Sequence, residues 1–237
     1  EHALGSRWSV SLYAASERVF HFVPEGDFVF GGGGRGRRRG TLFSLPSKAT
    51  FNHADDPYDP HRGFILAFTA EPTKGPRASF VKTTAEGRLY LPAGDDRVLA
   101  ARLKLGGILG GGSLGDIPPT RRFFAGGQSS LRAFRYGVLG PLAEEGKVQG
   151  GKGLLEFSTE LRFPLTPALT GVLFADAGNA SRKPFATGGL TLYSDAGGGL
   201  RFKTPVGPVG LDLAFKLKRT PVDRSAYQVA FYAGYAF

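Results

Sequence analysis

The chain has 237 residues, including 36 Gly, 20 Phe and 8 Tyr but no Cys and no Met, and it carries a formal charge of +10. No apolar run reaches the roughly 20 residues that a helix needs to cross a bilayer, which excludes a helical membrane protein, and without Cys there is neither a disulfide framework nor a thiolate metal site. Basic residues are spread along the chain with one cluster, Arg35, Arg37, Arg38 and Arg39, inside a glycine run; this fits a solvated loop facing anionic lipid headgroups better than a nucleic-acid footprint. A hydrophobic share of 41% suits a soluble sandwich as well as a membrane barrel, so the alternation pattern has to decide.

The chain begins Glu1-His2-Ala3 with neither an initiator Met nor a signal peptide, so the natural N-terminus is expected upstream. Candidate strands follow at 8–14, 41–51, 64–71, 81–91, 99–105, 154–163, 170–177, 197–204, 209–218 and 226–237, about ten in all, with no helical period. In the run at 99–105, Leu99, Ala101, Leu103 and Leu105 oppose Ala100, Arg102 and Lys104. In the run at 209–218, Val209, Leu211, Leu213, Phe215 and Leu217 oppose Gly210, Asp212, Ala214, Lys216 and Lys218. The terminal run is the cleanest: Tyr227, Val229, Phe231, Ala233, Tyr235 and Phe237 share one face, while the other is small or polar. These runs exceed the five or six residues usual in a soluble sandwich, and the polar faces repeatedly carry Lys, Arg, Glu and Asp, as a water-filled lumen permits and a lipid face does not. The pattern predicts an all-β fold, a transmembrane antiparallel barrel.

The rhythm breaks at 110–151, where the chain reads Arg121-Arg122-Phe123-Phe124-Ala125-Gly126-Gly127-Gln128-Ser129-Ser130-Leu131-Arg132-Ala133-Phe134-Arg135-Tyr136. A loop this long is usually functional or disordered. Phe123, Phe124, Leu131, Phe134 and Tyr136 are too apolar for a solvated linker, so a packing partner is expected for them.

Phe124-Ala125-Gly126-Gly127 followed by Leu131-Arg132-Ala133-Phe134 resembles the Phe-x-Gly-Gly element and the Val-Arg-Gly-Phe/Tyr tetrad of the BamA/TamA superfamily of outer-membrane assembly barrels and the related two-partner secretion transporters. Supporting matches are the segment from Asp55 to Gly63, Glu160-Leu161, Phe174-Ala175-Asp176-Ala177-Gly178-Asn179, the segment from Pro205 to Asp212, and the terminal Phe237. Phe-Phe-Ala-Gly-Gly with Ser130 before the tetrad looks closer to TamA-like members. The resemblance implies a barrel domain at 1–237 that forms the last ten or so of about sixteen strands, with 110–151 folded into the lumen. Earlier strands and periplasmic POTRA domains are expected upstream of this chain. It also implies that Arg132 meets acidic residues on the inner wall, at Glu160 and Asp176. Independently of the family, an Arg delivered into a confined lumen needs carboxylates, and its planar fork suits two of them. One position departs from the motif: Ala133 stands where the tetrad has Gly, which would strain the backbone if that position requires positive φ.

Four dispersed histidines offer no pair at metal-ligand spacing, so no metal is assigned. His61 near Asp55, Asp56 and Asp59 reads as a turn-rich strand connection. The glycines at 31–36 lack the Lys-Ser/Thr of a phosphate loop, and nothing suggests hydrolysis, so neither enzyme nor cofactor is expected. The function implied by the resemblance is insertion, assembly or translocation of other outer-membrane or secreted proteins in a bacterial outer membrane. It would run without nucleotide, through a seam at Tyr227, Val229, Phe231, Tyr235 and Phe237 whose backbone templates an incoming strand. The expected partners are the lipid bilayer, unfolded clients and an inner-membrane partner spanning the periplasm; nucleic acid is not among them. Two rivals are a secretion-type pore or channel and a barrel anchoring an upstream catalytic domain.

Overall fold

A computed structural model of the protein describes residues 2–3, 7–22, 37–75, 78–144, 146–186, 190–204 and 208–233. The glycine run at 31–36 with Arg35, residues 205–207, and Tyr235 and Phe237 of the terminal run lie outside them.

Thirteen strands form one antiparallel sheet. They are β1 (His2–Ala3), β2 (Trp8–Leu12), β3 (Ala15–Phe22), β4 (Arg37–Ser44), β5 (Ser47–Asn52), β6 (Gly63–Lys74), β7 (Ser79–Pro92), β8 (Val98–Gly110), β9 (Gly153–Thr166), β10 (Leu169–Ser181), β11 (Tyr193–Phe202), β12 (Val209–Lys216) and β13 (Tyr227–Ala233). From β5 to β13 each strand pairs with the next in sequence. No helix among the described residues is long and apolar enough to cross a membrane.

One predicted run is split in two and two strands, β1 and β3, were not anticipated, which is why thirteen strands stand where about ten were expected. The single strand expected at 41–51 is instead parts of β4 and β5, separated at Leu45-Pro46, because Pro46 has no N–H for a ladder and restricts the residue before it. Opposite, β2 and β3 are separated at Tyr13-Ala14, and the Tyr13 N–H donates to the Pro46 carbonyl at 2.9 Å across the break. With β2 and β3 taken as one crossing and β4 and β5 as another, ten crossings remain beside the short β1.

Period-two alternation is visible in the burial. On β9, Leu154, Glu156, Ser158, Glu160 and Arg162 are buried on one face, and Phe157 on the other is exposed. On β8, β10 and β12 the apolar Leu99, Leu103, Leu173, Leu211 and Phe215 are likewise exposed while Arg102, Asp176 and Asp212 are buried. An apolar outer face over a charged inner face is the arrangement of a barrel wall in lipid, since charge at the midplane of a lipid face costs about 2–4 kcal/mol.

The connection from Gly111 to Lys152 lies against the inner face. Its two arms pair with each other through bridges at Phe123 with Gly151, Ala125 with Leu139, and Leu142 with Val148. Arg122 is buried between the arms, donating from Nε to Ile117 O and from Nη1 to Gln149 O, both at 2.8 Å. Ile117, Phe123, Leu131, Phe134 and Leu139 of this segment share one apolar cluster with Phe80, Ile108, Leu154, Val172 and Phe174 of the wall. Tyr136 departs from the expectation that every apolar side chain of the loop is received: it is 90% exposed.

Candidate functional site

The tip of the loop is shaped by two glycines. Gly126 and Gly127 have φ of +99° and +110°, a region that side chains with a Cβ rarely enter, and a Cβ on Gly126 would lie 2.6 Å from the Arg135 carbonyl oxygen. The turn is closed by Gly126 N–H donating to Ser130 Oγ at 3.0 Å and by Gly127 N–H donating to Phe134 O at 3.0 Å. Phe124 is half-buried beside this turn.

This turn presents the segment from Leu131 to Phe134 to the wall, and all four residues are at most 1% exposed. Arg132 Nη1 lies 2.7 Å from Glu160 Oε1 on β9 and 3.3 Å from Asp212 Oδ2 on β12, and its Nε lies 3.0 Å from Asp176 Oδ2 on β10. The guanidinium also covers the Phe174 ring at 3.9 Å, so both its edge and its face are used. Leu131 and Phe134 pack on either side of it into the apolar cluster, and the Phe134 ring meets Tyr193 edge-on at 5.9 Å.

Two further arginines share these acids. Arg201 on β11 holds Asp212 Oδ1 at 2.6 Å, and Arg162 on β9 holds Glu160 Oε2 at 2.9 Å. Asp212 therefore lies between Arg132 and Arg201, and Glu160 between Arg132 and Arg162. Space for this comes from Gly199, which faces Asp212 across the β11–β12 ladder; a Cβ there would lie 1.8 Å from Asp212 Oδ1. The glycine-rich composition of β11 thus serves close approach on the inner face.

Ala133 does not adopt positive φ. Its methyl is fully buried, and its N–H donates to Asp195 Oδ2 on β11 at 3.1 Å, so the Ala in place of the motif Gly carries no left-handed strain. Asp195 stands directly opposite Asp176 in the β10–β11 register. Two carboxyls set face to face are unfavourable when both are charged; Arg132 lies against Asp176 and the loop amide donates to Asp195.

Several contacts were not anticipated from sequence. Arg102 on β8 donates to the Ser129 carbonyl at 2.7 Å, and Ser130 Oγ hydrogen-bonds Glu156 on β9. Arg121, eleven residues before Arg132, forms ion pairs with Glu71 on β6 and, at 2.5 Å, with Glu17 on β3. Beyond the tetrad, Arg135 N–H donates to Asp223 Oδ2 at 3.1 Å in the connection between β12 and β13. Burial pushes the Asp223 carboxyl up, but Lys216, the Arg135 amide and Ser225 outweigh it and hold the group below the ordinary value of 3.8. Alternation could have flagged Asp195, Asp212 and Glu156 as inward-facing, but not which loop atom each receives.

At the other end of the sheet, Asp55 Oδ1 accepts from the amides of Asp56, His61 and Arg62, and Asp56 Oδ1 from those of Tyr58 and Asp59. Slight burial of Asp55 opposes these bonds, and the net effect lowers its carboxyl below 3.8. These are turn bonds. Tyr227, Val229 and Phe231 of the terminal run project from β13 on the exposed outer face.

The Omp85 superfamily domain matches residues 6–237 of this chain. The chain is 28% identical over 206 residues to Outer membrane protein assembly factor BamA of Neisseria meningitidis serogroup B (strain ATCC BAA-335 / MC58), across 73% of this chain and 26% of that protein. It is 30% identical over 144 residues to Outer envelope protein 80, chloroplastic, of Arabidopsis thaliana, across 57% of this chain and 18% of that protein. The crystal structure of BamA from Haemophilus ducreyi lacking POTRA domains 1-3 has the same fold, with a TM-score of 0.70 at 19% identity over 95% of this chain and 54% of that chain. The chain spans about a quarter of the meningococcal relative and about half of the solved barrel chain. With barrel wall, inward loop and matched residues in agreement, the chain belongs to the Omp85 superfamily and is an outer-membrane β-barrel chain of it.

Proposed function

We propose that this chain helps insert, assemble or translocate other outer-membrane or secreted proteins by offering the free edge of β13 to an incoming strand, while the loop carrying Arg132 braces the wall behind that edge. The observation that carries this reading is that the loop is tied both to the wall, through Arg132 to β9, β10 and β12, and to the backbone of β13, through Gln128 to Phe231 O. An exposed strand edge is a ready template for β-addition, because its main-chain donors and acceptors repeat at the spacing another strand needs. Leu131, Arg132, Ala133 and Phe134 supply the brace by holding β9 to β12, and Glu160 and Asp176 are its anchors. No covalent step and no nucleotide enters this reading. The unfolded client and the bilayer are its partners, and the Phe123-Phe124-Ala125-Gly126-Gly127 sequence favours a TamA-like version of the task, in which an inner-membrane partner would take part.

A pore reading fits less well. The inner-face Arg102, Arg162 and Arg201 face carboxylates beneath the loop and are at most 4% exposed, whereas selectivity charges must line water.

The test uses the geometry of the edge. Lys216 N–H bonds Ala226 O, so in the antiparallel register the even-numbered residues of β13 face β12 and the backbone groups of Val229 point away from it; Val229→Pro therefore removes a donor from the outer edge without removing a β12–β13 bond. The full-length protein in phospholipid vesicles should fold and show its heat-modifiable gel mobility, yet assemble a urea-denatured outer-membrane barrel at least severalfold more slowly. Assembly at the unmodified rate by a correctly folded Val229→Pro variant would rule out the edge as the working surface.

A further inference from the structure

The backbone orientation of β13 follows from two hydrogen bonds. Lys216 N–H donates to Ala226 O at 3.0 Å, and in the antiparallel register Phe215 faces Tyr227, so residues 226, 228, 230 and 232 direct their N–H and C=O groups toward β12. Leu217 N–H donates to Ser194 O at 3.0 Å, the opposite parity on the opposite side, in agreement. Tyr227, Val229 and Phe231 therefore direct their backbone groups to the free edge and their side chains to the exposed outer face, where Phe231 is 69% exposed.

One of those edge acceptors is occupied. Gln128 Nε2, at the loop tip, donates to the Phe231 carbonyl at 3.1 Å across 103 residues of sequence. Only the amide nitrogen can donate, so the contact also fixes which way the Gln128 amide points. The tip is anchored on both sides of Gln128, by the closed glycine turn before it and by Arg102 holding the Ser129 carbonyl after it.

The geometry points to Gln128 as the residue that couples the loop to the edge: while it holds the Phe231 carbonyl, an incoming client strand can pair with β13 at Tyr227 and Val229 but not at Phe231. This inference rests on the reading of β13 as the working edge. The occupant is an extended client segment of alternating apolar and polar residues, its apolar side chains beside Tyr227, Val229 and Phe231 on the lipid side. A carbonyl can accept twice, but the Gln128 amide sits where the backbone of an added strand must run, about 4.8 Å from β13. Pairing past Val229 therefore requires the amide to leave. The exchange is nearly balanced, because the strand N–H replaces the glutamine N–H on the same oxygen and no acceptor is stranded. Gln128 is a positioning residue in this scheme.

Because these 237 residues contain no cysteine, thiols engineered into them have no native competitor within the barrel segment. Val229→Cys and Phe231→Cys, made separately in the full-length protein in detergent micelles, keep the backbone groups in question. The probe is a ten-residue peptide of alternating valine and threonine with one cysteine, and the readout is the disulfide yield at 231 relative to that at 229. The ratio should be low with Gln128 present and rise about threefold to tenfold in Gln128→Ala, the factor that one neutral hydrogen bond carries. Gln128→Glu, nearly the same shape but unable to donate when ionised, should rise equally. Gln128 is exposed, so neither change threatens folding, and gel mobility checks it. A ratio moved by neither substitution, or by alanine alone, overturns the role of the Gln128 hydrogen bond and leaves the edge reading standing. No cross-linking at 229 or 231 in any background overturns the edge reading itself, and this inference with it.

Discussion

Arg132 and Asp212 are 80 residues apart in sequence and 3.3 Å apart in space, and the same carboxylate is also held by Arg201. The loop is thereby tied to β12, the strand that carries β13. Removing one partner of a buried network leaves an uncompensated charge, which typically costs about 3–5 kcal/mol. Asp212→Ala and Arg132→Ala should each lower the unfolding free energy, measured by urea titration of the detergent-solubilised protein, by an amount in that range. Because the residues touch, the double variant should cost less than the sum of the singles.

Arg121 makes the comparable connection to the early strands, through Glu17 and Glu71, but its setting is more open: 39% of the Glu17 side chain is exposed. Solvent screening reduces such a pair to about 1 kcal/mol or less. Arg121→Ala should therefore shift global stability far less than Arg132→Ala. It should instead speed amide hydrogen exchange locally, in β3 and β6, and a loss of stability equal to that of Arg132→Ala would contradict this ranking.

Exchange at two small loop residues, Gly126 and Ala133, should cost stability for different reasons, steric at the first and entropic at the second. Gly126→Ala places a Cβ at φ of +99° and 2.6 Å from a carbonyl oxygen, a strain of about 1–3 kcal/mol. Ala133→Gly, which restores the family residue, should not stabilise and should cost about 0.5–1 kcal/mol through added chain entropy. Urea unfolding of both variants measures the contrast, and a gain in stability for Ala133→Gly would contradict the absence of strain at that position.

Acid should loosen the attachment at Arg135 before it affects neighbouring bonds between uncharged groups. The Asp223 carboxyl is lowered in the folded state, so its contribution is complete above the ordinary value of 3.8 and is lost as pH falls through the lower folded value. Lys216 at 2.8 Å and Arg135 at 3.7 Å are the cations facing it. Hydrogen exchange at Arg135 and Tyr136, referenced to Asp223→Asn, should converge on that of the variant as pH is lowered through the range below 3.8. A constant difference across that range would show that Asp223 does not hold the loop.

Strand identity and facing were legible in the sequence because period two is a local property: any residue two places from Leu211 in an extended chain shares its face. Thus Asp212, Glu160 and Asp176 could be assigned to the inner wall, and the motif of the loop could be recognised without coordinates. The breaks at Tyr13-Ala14 and Leu45-Pro46 were less legible. Pro46 is visible in the sequence, but its effect depends on which edge of β5 is paired. Strand β3 was missed because Glu17, Arg18 and His21 blur the alternation that its pairing with β4 makes good.

By itself the sequence determined an all-β outer-membrane barrel wall, charged inside and apolar outside, with an apolar loop that had to pack somewhere, because these follow from spacing and from the cost of charge in lipid. Only the tertiary structure decided that Asp212 and Asp195 join Glu160 and Asp176 around the tetrad, that Arg121 reaches β3 and β6, and that Gln128 holds the Phe231 carbonyl. The physical reason is that those contacts depend on the register accumulated across several strands and on how deep the loop sits, and a one-residue slip in either would deliver every side chain to a different partner.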